Sequence, residues 1–183
     1  MDRYFKISLE EVDGTVINGE YNFDTGLRAS DIVYAYIKII LPNIPSKENF
    51  EYSWPRNVGY MILRKVRFFQ TNYPENYLDI FGDDLLLSVE FLSRCHKNSM
   101  DKMLGNINEL TLWSKNLPFY SLFIPIHNNF DEIREKFKDE LISIKFELIQ
   151  DTSTILRIRP SINDNTPIPL GKPRLYIKHM VNE

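Results

Sequence analysis

Cysteine occurs once in this chain, at Cys95. A lone cysteine closes no intramolecular disulfide, so the fold does not depend on oxidation. Glycine is scarce, with seven in 183 residues. A backbone cradle for phosphates gathers several in one loop, and Gly171-Lys172 lacks both the upstream glycine and the following hydroxyl of a P-loop. The Gly-x-Ser-x-Gly turn of a serine hydrolase is missing. So is a large charge of one sign. The formal net charge is -3, which argues against a general nucleic-acid sponge or a cationic membrane binder. No apolar run approaches the length of a transmembrane helix. The stretch Met1 to Glu10 carries charges and has no signal-peptide apolar run, and no Asn-x-Ser/Thr sequon occurs. These absences predict a soluble protein kept in a reducing compartment.

Metal and acid–base chemistry are equally thin. The three histidines, His96, His127 and His179, stand in no ligand spacing with one another or with a cysteine. Cys95 and His96 are neighbours in sequence, whereas a catalytic pair normally meets across a fold, so Cys95 reads as a small buried residue at a helix end. Asp79, Asp83 and Asp84 cluster, and a helix N-terminus accounts for them more simply than a glycosidase pair. Asn163-Asp164-Asn165 resembles the start of a calcium loop but lacks its glycine and closing glutamate, so it reads as a polar turn. No catalytic, cofactor-binding or metal-binding residue is assigned.

What the chain has is aromatic residues, 13 % of the total, and a period of two. Phe5, Ile7 and Leu9 alternate with Tyr4, Lys6 and Ser8. Val33, Ala35, Ile37, Ile39 and Leu41 share one parity, and Tyr34, Tyr36 and Lys38 the other. Ile142, Ile144, Phe146 and Leu148 alternate with Ser143, Lys145 and Glu147. Leu156 and Ile158 alternate with Arg157 and Arg159, and Leu175, Ile177 and Val181 share a parity with His179. Strands with one face on a core read this way. The run Met61 to Gln70 is strand-like with mixed parities, Arg64 falling with Ile62, Val66 and Phe68. Ten prolines punctuate the chain, each excluded from a central strand. Asp83 to Cys95 and Asp131 to Glu140 read as short helices, the second placing Ile133 and Phe137 four residues apart. The pattern predicts an all-β sandwich or barrel with one or two short helical insertions and no domain boundary within 1–183.

Basic residues sit on two strand-like runs: Arg64, Lys65 and Arg67 beside Phe68 and Phe69, and Arg157 with Arg159. They could offer a stacking surface to single-stranded nucleic acid. Alternating charge on an outer strand face is the commoner arrangement, so no specific nucleic-acid partner is expected.

One collinear set of segments goes further. Tyr52-Ser53-Trp54-Pro55-Arg56-Asn57-Val58-Gly59-Tyr60 precedes the run to Phe69. Leu78-Asp79-Ile80-Phe81-Gly82-Asp83-Asp84-Leu85 follows, and then Lys97-Asn98-Ser99-Met100-Asp101-Lys102-Met103-Leu104-Gly105-Asn106. Together they resemble the N-terminal jelly roll of the major capsid proteins of nucleocytoplasmic large DNA viruses. That family has a Trp-containing segment leading to a glycine, then a strand, a short amphipathic helix and a Lys-rich segment ending in Met-x-Gly. Gly26 to Pro42 is similar to the family's opening strand, Leu122-Phe123-Ile124-Pro125-Ile126 to its Tyr-Ile-Pro-Leu strand, and Leu141 to Leu148 to a later one. The family's phenylalanine-rich stretch after that proline is replaced here by His127-Asn128-Asn129-Phe130.

The resemblance implies a single antiparallel jelly-roll sandwich of two sheets. It implies a non-enzymatic capsid subunit of a large icosahedral double-stranded DNA virus, assembled in the host cytoplasm beside neighbouring capsid proteins. The family's usual subunit carries two jelly rolls, and this length holds one. That points to a vertex (penton) or minor capsid protein, with a homo-pentamer favoured and a trimer as the face-type alternative. Tyr34, Tyr36 and Phe69 are candidate interface aromatics. Two other readings of a jelly roll stand beside this one. A stand-alone carbohydrate- or ligand-binding module would show an aromatic groove on one sheet. A cupin- or glycosidase-type enzyme would show converging histidines or carboxylates inside the sandwich.

Overall fold

The computed structural model describes residues 5–17, 20–89, 94–126, 130–149, 151–160 and 167–182. Its strands are β1 (Phe5–Val12), β2 (Gly14–Ile17), β3 (Glu20–Arg28), β4 (Ile32–Leu41), β5 (Glu51–Ser53), β6 (Leu63–Gln70), β7 (Tyr73–Phe81), β8 (Tyr120–Pro125), β9 (Leu141–Leu148), β10 (Arg157–Arg159) and β11 (Arg174–Asn182). One sheet has the order β1-β11-β4-β8 and the other β2-β3-β9-β6-β7. β10 and β5 form a separate two-stranded ribbon. Every pairing is antiparallel.

The ladders follow one plan. Leave aside β2, β5 and β10. The first remaining strand then pairs with the last (β1 with β11), the second with the seventh (β3 with β9), the third with the sixth (β4 with β8), and the fourth with the fifth (β6 with β7). That is one long hairpin with its tip at Thr71-Asn72. Rolling it up adds the pairs β11 with β4 and β9 with β6. The result is a jelly roll.

Alternation decides which side chains fill the space between the sheets. Ala35, Ile37, Ile39 and Leu41 of β4, Leu122 and Ile124 of β8, and Leu175 and Ile177 of β11 are buried. So are Phe23 of β3, Val66 and Phe68 of β6, and Ile142, Ile144 and Phe146 of β9. All belong to one continuous core. Phe146 lies between Tyr21 and Phe23, with ring centroids 5.2 and 5.1 Å away. Branched and aromatic side chains suit this half-buried pleated surface.

Two bulges correct the parity that the sequence suggests, and a third irregularity, of two residues, leaves it unchanged. In β4 the pairing steps from Tyr34↔Lys178 to Ile32↔His179. Val33 is thereby skipped, and Ile32, not Val33, is fully buried. In β6 the register steps from Leu63 to Lys65, which turns Arg64 out to solvent, away from the face of Val66 and Phe68. In β3 the shift falls between Asp24 and Leu27. Gly26 there adopts φ +61°, a left-handed conformation that glycine enters without steric cost. Leu9 lies opposite Lys178 on edge strand β1 and is exposed.

Five short helices lie in the connections: α1 (Val58–Ile62), α2 (Gly82–Val89), α3 (Arg94–Met103), α4 (Asn108–Thr111) and α5 (Phe130–Phe137). The stretch expected to be strand from Met61 is therefore helical up to Ile62. The segment Asp83 to Cys95 carries α2, with Asp83 and Asp84 in its first turn, and the start of α3. α5 buries Phe130, Ile133 and Phe137 as its spacing requires. Its Arg134 donates to Ile32 O from Nη2 at 2.9 Å and Nε at 3.2 Å, tying the helix to the start of β4. Within these described residues no helix is long and apolar enough to cross a membrane.

Two substitutions test this packing. Phe146→Ala should cost roughly 3–5 kcal/mol in urea unfolding, the range for a buried aromatic ring. At Gly82 a Cβ would sit 2.6 Å from Tyr60 O and closer still to Leu63 O. Gly82→Ala should therefore cost roughly 1–3 kcal/mol as overpacking, and a neutral result would contradict the contact.

Candidate interaction surfaces

Two of the segments that carry the capsid resemblance, Tyr52 to Tyr60 and Lys97 to Asn106, meet at one place. Asn57 takes a left-handed φ of 56° just before α1. Its backbone N–H donates to Asn106 Oδ1 at 2.5 Å, and Asn106 Nδ2 donates to Asn57 Oδ1 at 2.5 Å and Asp101 Oδ1 at 2.7 Å. Trp54 N–H donates to Leu110 O at 2.8 Å, and Gly59 N–H to Leu104 O at 3.3 Å. Gly105, at φ +84°, brings its backbone against Val58 and Leu122. Trp54 and Tyr60 are fully buried beside this hub. Burial raises the Tyr60 phenol well above its ordinary value and the neighbouring Tyr34 phenol to about 12. These segments thus act as scaffold, fastening the helical insertion to the sandwich.

The outer face of the sheet containing β6 carries a lattice of opposite charges. Arg67 makes a bidentate contact with Asp79, Nε to Oδ1 at 2.6 Å and Nη2 to Oδ2 at 2.7 Å, and stacks over the Tyr77 ring at 3.9 Å. Lys65 pairs with Glu147 at 2.8 Å, and Lys145 pairs with Glu20. Two of the basic residues considered for nucleic-acid stacking, Lys65 and Arg67, are thus engaged by carboxylates across the ladder. Arg159 of the other run pairs with Glu51 at 2.5 Å and lies 4.7 Å over the Trp113 ring. Asp79 belongs to this lattice and not to the α2 N-terminus. Hydrogen bonds from Arg67 hold its carboxyl below the usual range, and Lys65 does the same for Glu147.

The outer face of the opposite sheet is aromatic. Tyr36 stacks on Tyr176 with centroids 5.3 Å apart and meets Phe123 edge-on at 5.7 Å. Tyr34 packs against Tyr36 and Phe130, at 6.4 Å in each case. Lys38 lies over Phe123, and Glu11 accepts from Tyr176 Oη at 2.8 Å and pairs with Arg174. Tyr34, Tyr36 and Phe69 are half-buried, the first two within this row. The strongly exposed apolar side chains lie elsewhere. Tyr73, Tyr77 and Phe81 line the free edge strand β7, and Leu87, Leu112 and Phe119 lie on or beside the helical insertion. Edge position and the outward parity of β7 explain the first three, a signal that period two alone does not supply.

Among the described residues no three His, Cys, Asp or Glu side chains group as a metal site. His96 is exposed on α3. His179 is buried on β11 with its Nε2 3.2 Å from Glu10 Oε1. His127, the Asn163-Asp164-Asn165 turn and the Cys95 side chain lie outside the described parts. The largely apolar groove, of about 280 Å³, is lined by residues that include Pro42, Pro45, Tyr52, Leu156, Ile158 and Ile168. A second cavity, polar and about 360 Å³, opens beside the Asn57–Asn106 hub.

Two sheets in this order place the chain in the class of jelly-roll sandwiches. Among solved structures it is similar to PBCV-1 VP54, in a crystal structure fitted into a cryo-EM reconstruction of the virophage Sputnik. The TM-score is 0.63 at 11% sequence identity, over 100% of this chain and 44% of that one. The chain therefore spans less than half the length of that structure, and the likeness is one of fold. No protein-family profile matches the chain, and no curated protein matches it.

The Asp79 carboxyl titrates lower in the folded state than in the unfolded one. Its contribution is therefore complete above the ordinary carboxylate range and is lost as pH falls through the lowered value. Asp79→Asn should destabilise the protein by roughly 0.5–1 kcal/mol at neutral pH. Urea midpoints of the two proteins should converge in acid, and a pH-independent gap would contradict the Arg67–Asp79 account.

Proposed function

We propose that this chain is a structural subunit of a viral capsid, the vertex (penton) or a minor subunit of a large icosahedral double-stranded DNA virus. The observation that carries this reading is the match along the whole chain to a viral capsid protein of the same fold. The collinear sequence resemblance supports it as well, and two of its segments meet at the Asn57–Asn106 hub. In this reading the chain forms a single jelly-roll domain with no catalytic residue. It works by presenting shape and buried area to neighbours in the virion, after assembly in the host cytoplasm. Contacts around a closed ring are heterologous, each patch meeting a different one on the next copy. The unpaired edge strand β7 with Tyr73, Tyr77 and Phe81, and the apolar tips Leu87, Leu112 and Phe119, supply exposed surface of the kind such contacts bury.

The aromatic row of β4, β8 and β11 is the feature that favours the alternative, a stand-alone carbohydrate-binding module. Its rings, however, stack on one another across the sheet instead of lining a groove.

Light scattering on the purified protein over a concentration series separates these readings. A mass approaching five subunits is the expected result. A trimer would replace the vertex reading with a face-type capsomer, and a monomer at every concentration would contradict self-assembly and favour the binding module.

A further inference from the structure

The polar cavity beside the hub has free valences of a definite kind. It is bounded by the approach to α1, the end of α2, α3 and α4, and measures about 360 Å³, within the range of small-molecule sites. The Asn106 side chain is fully used: its oxygen accepts from the Asn57 backbone, and its amide donates to Asn57 Oδ1 and Asp101 Oδ1. That bonding fixes the Asn57 amide and the Asp101 carboxylate on the cavity wall. The Asn57 NH2 group, the second Asp101 oxygen and the Asn108 amide make no hydrogen bond among the described residues. Thr111 Oγ1 donates to Ile107 O at 2.9 Å and keeps its lone pairs. Arg56 and Lys97 also line the cavity, are exposed, and make no ion pair or hydrogen bond within the described parts. Among the described residues that line it, two cations face one carboxylate, so the lining is positive on a chain whose formal net charge is -3.

A ligand for these groups carries a negative charge for Arg56 and Lys97. It also carries hydroxyl donors for Asp101 and mixed donors and acceptors for Asn108 and Thr111. A bare anion would satisfy the cations and be repelled by Asp101. A neutral sugar would satisfy the polar wall and leave both cations unanswered. We propose that this cavity binds an acidic sugar, its anionic group held by Arg56 and Lys97 and its ring hydroxyls by Asp101 and Asn108. A guanidinium fork accepts either a carboxylate or a phosphate, so both kinds of acidic sugar share this chemistry. The inference does not depend on the capsid reading and applies equally to an isolated subunit.

The test is an amide NMR titration of the full chain with D-glucuronate, D-glucose 6-phosphate, D-glucose and acetate. Saturable shifts at the side-chain amides of Asn57, Asn106 and Asn108 are expected with at least one acidic sugar, and the tighter of the two identifies the anionic group. Glucose and acetate should bind at least about tenfold more weakly, and the double variant Arg56→Gln, Lys97→Gln should lose about tenfold or more in affinity. Its thermal midpoint should match the parent, because both side chains are exposed and make no pair among the described residues. The proposal is overturned if neither acidic sugar gives saturable shifts, if acetate or glucose binds as tightly as the acids, or if the double variant binds as well as the parent.

Discussion

The inward rows of the two sheets are the constraint on which the rest of the molecule depends. Ile37, Ile39 and Ile177 from one sheet and Phe68, Ile144 and Phe146 from the other pack into one core. In a strand a one-residue slip moves every side chain to the opposite face. The rolled hairpin must therefore hold register through both sheets at once. The bulges at Val33 and Arg64 keep the buried set inward where strict alternation would expose part of it.

With the sandwich fixed by its core, the connections are free to take on other work. The largest of them runs from β7 to β8 and carries α2, α3 and α4. Close backbone approaches hold it in place, at Gly82 against Tyr60 and Leu63 and at Gly105 against Val58 and Leu122. The Asn57–Asn106 exchange holds it too. The outer faces divide the remaining tasks. One carries self-paired charges, which keep a broad sheet surface soluble, and the other a row of mutually stacked rings.

Strands β4, β9 and β11 were legible from period two because each buries one face, and α5 was legible from Ile133 and Phe137. Three features were not. A five-residue helix such as α1 has too few turns to show a period, so Met61 and Ile62 read as strand. Bulges are invisible to a strict alternation rule, which put Arg64 among apolar neighbours and Val33 in place of Ile32. The hub is made by asparagines 49 residues apart in sequence, and short-range spacing carries no trace of such a partnership. The charge lattice was half legible: alternation placed Lys65 and Arg67 outward, but their carboxylate partners come from β7 and β9.

The proposed capsid role has this jelly roll joined to copies of itself. Hydrogen exchange on dilute and concentrated protein tests it at the level of individual amides. The account predicts added protection at high concentration on exposed edges and tips, such as the Tyr73–Phe81 strand and the segment around Phe119, with core amides of β4 and β9 unchanged. Identical exchange at every position across the concentration range would contradict it.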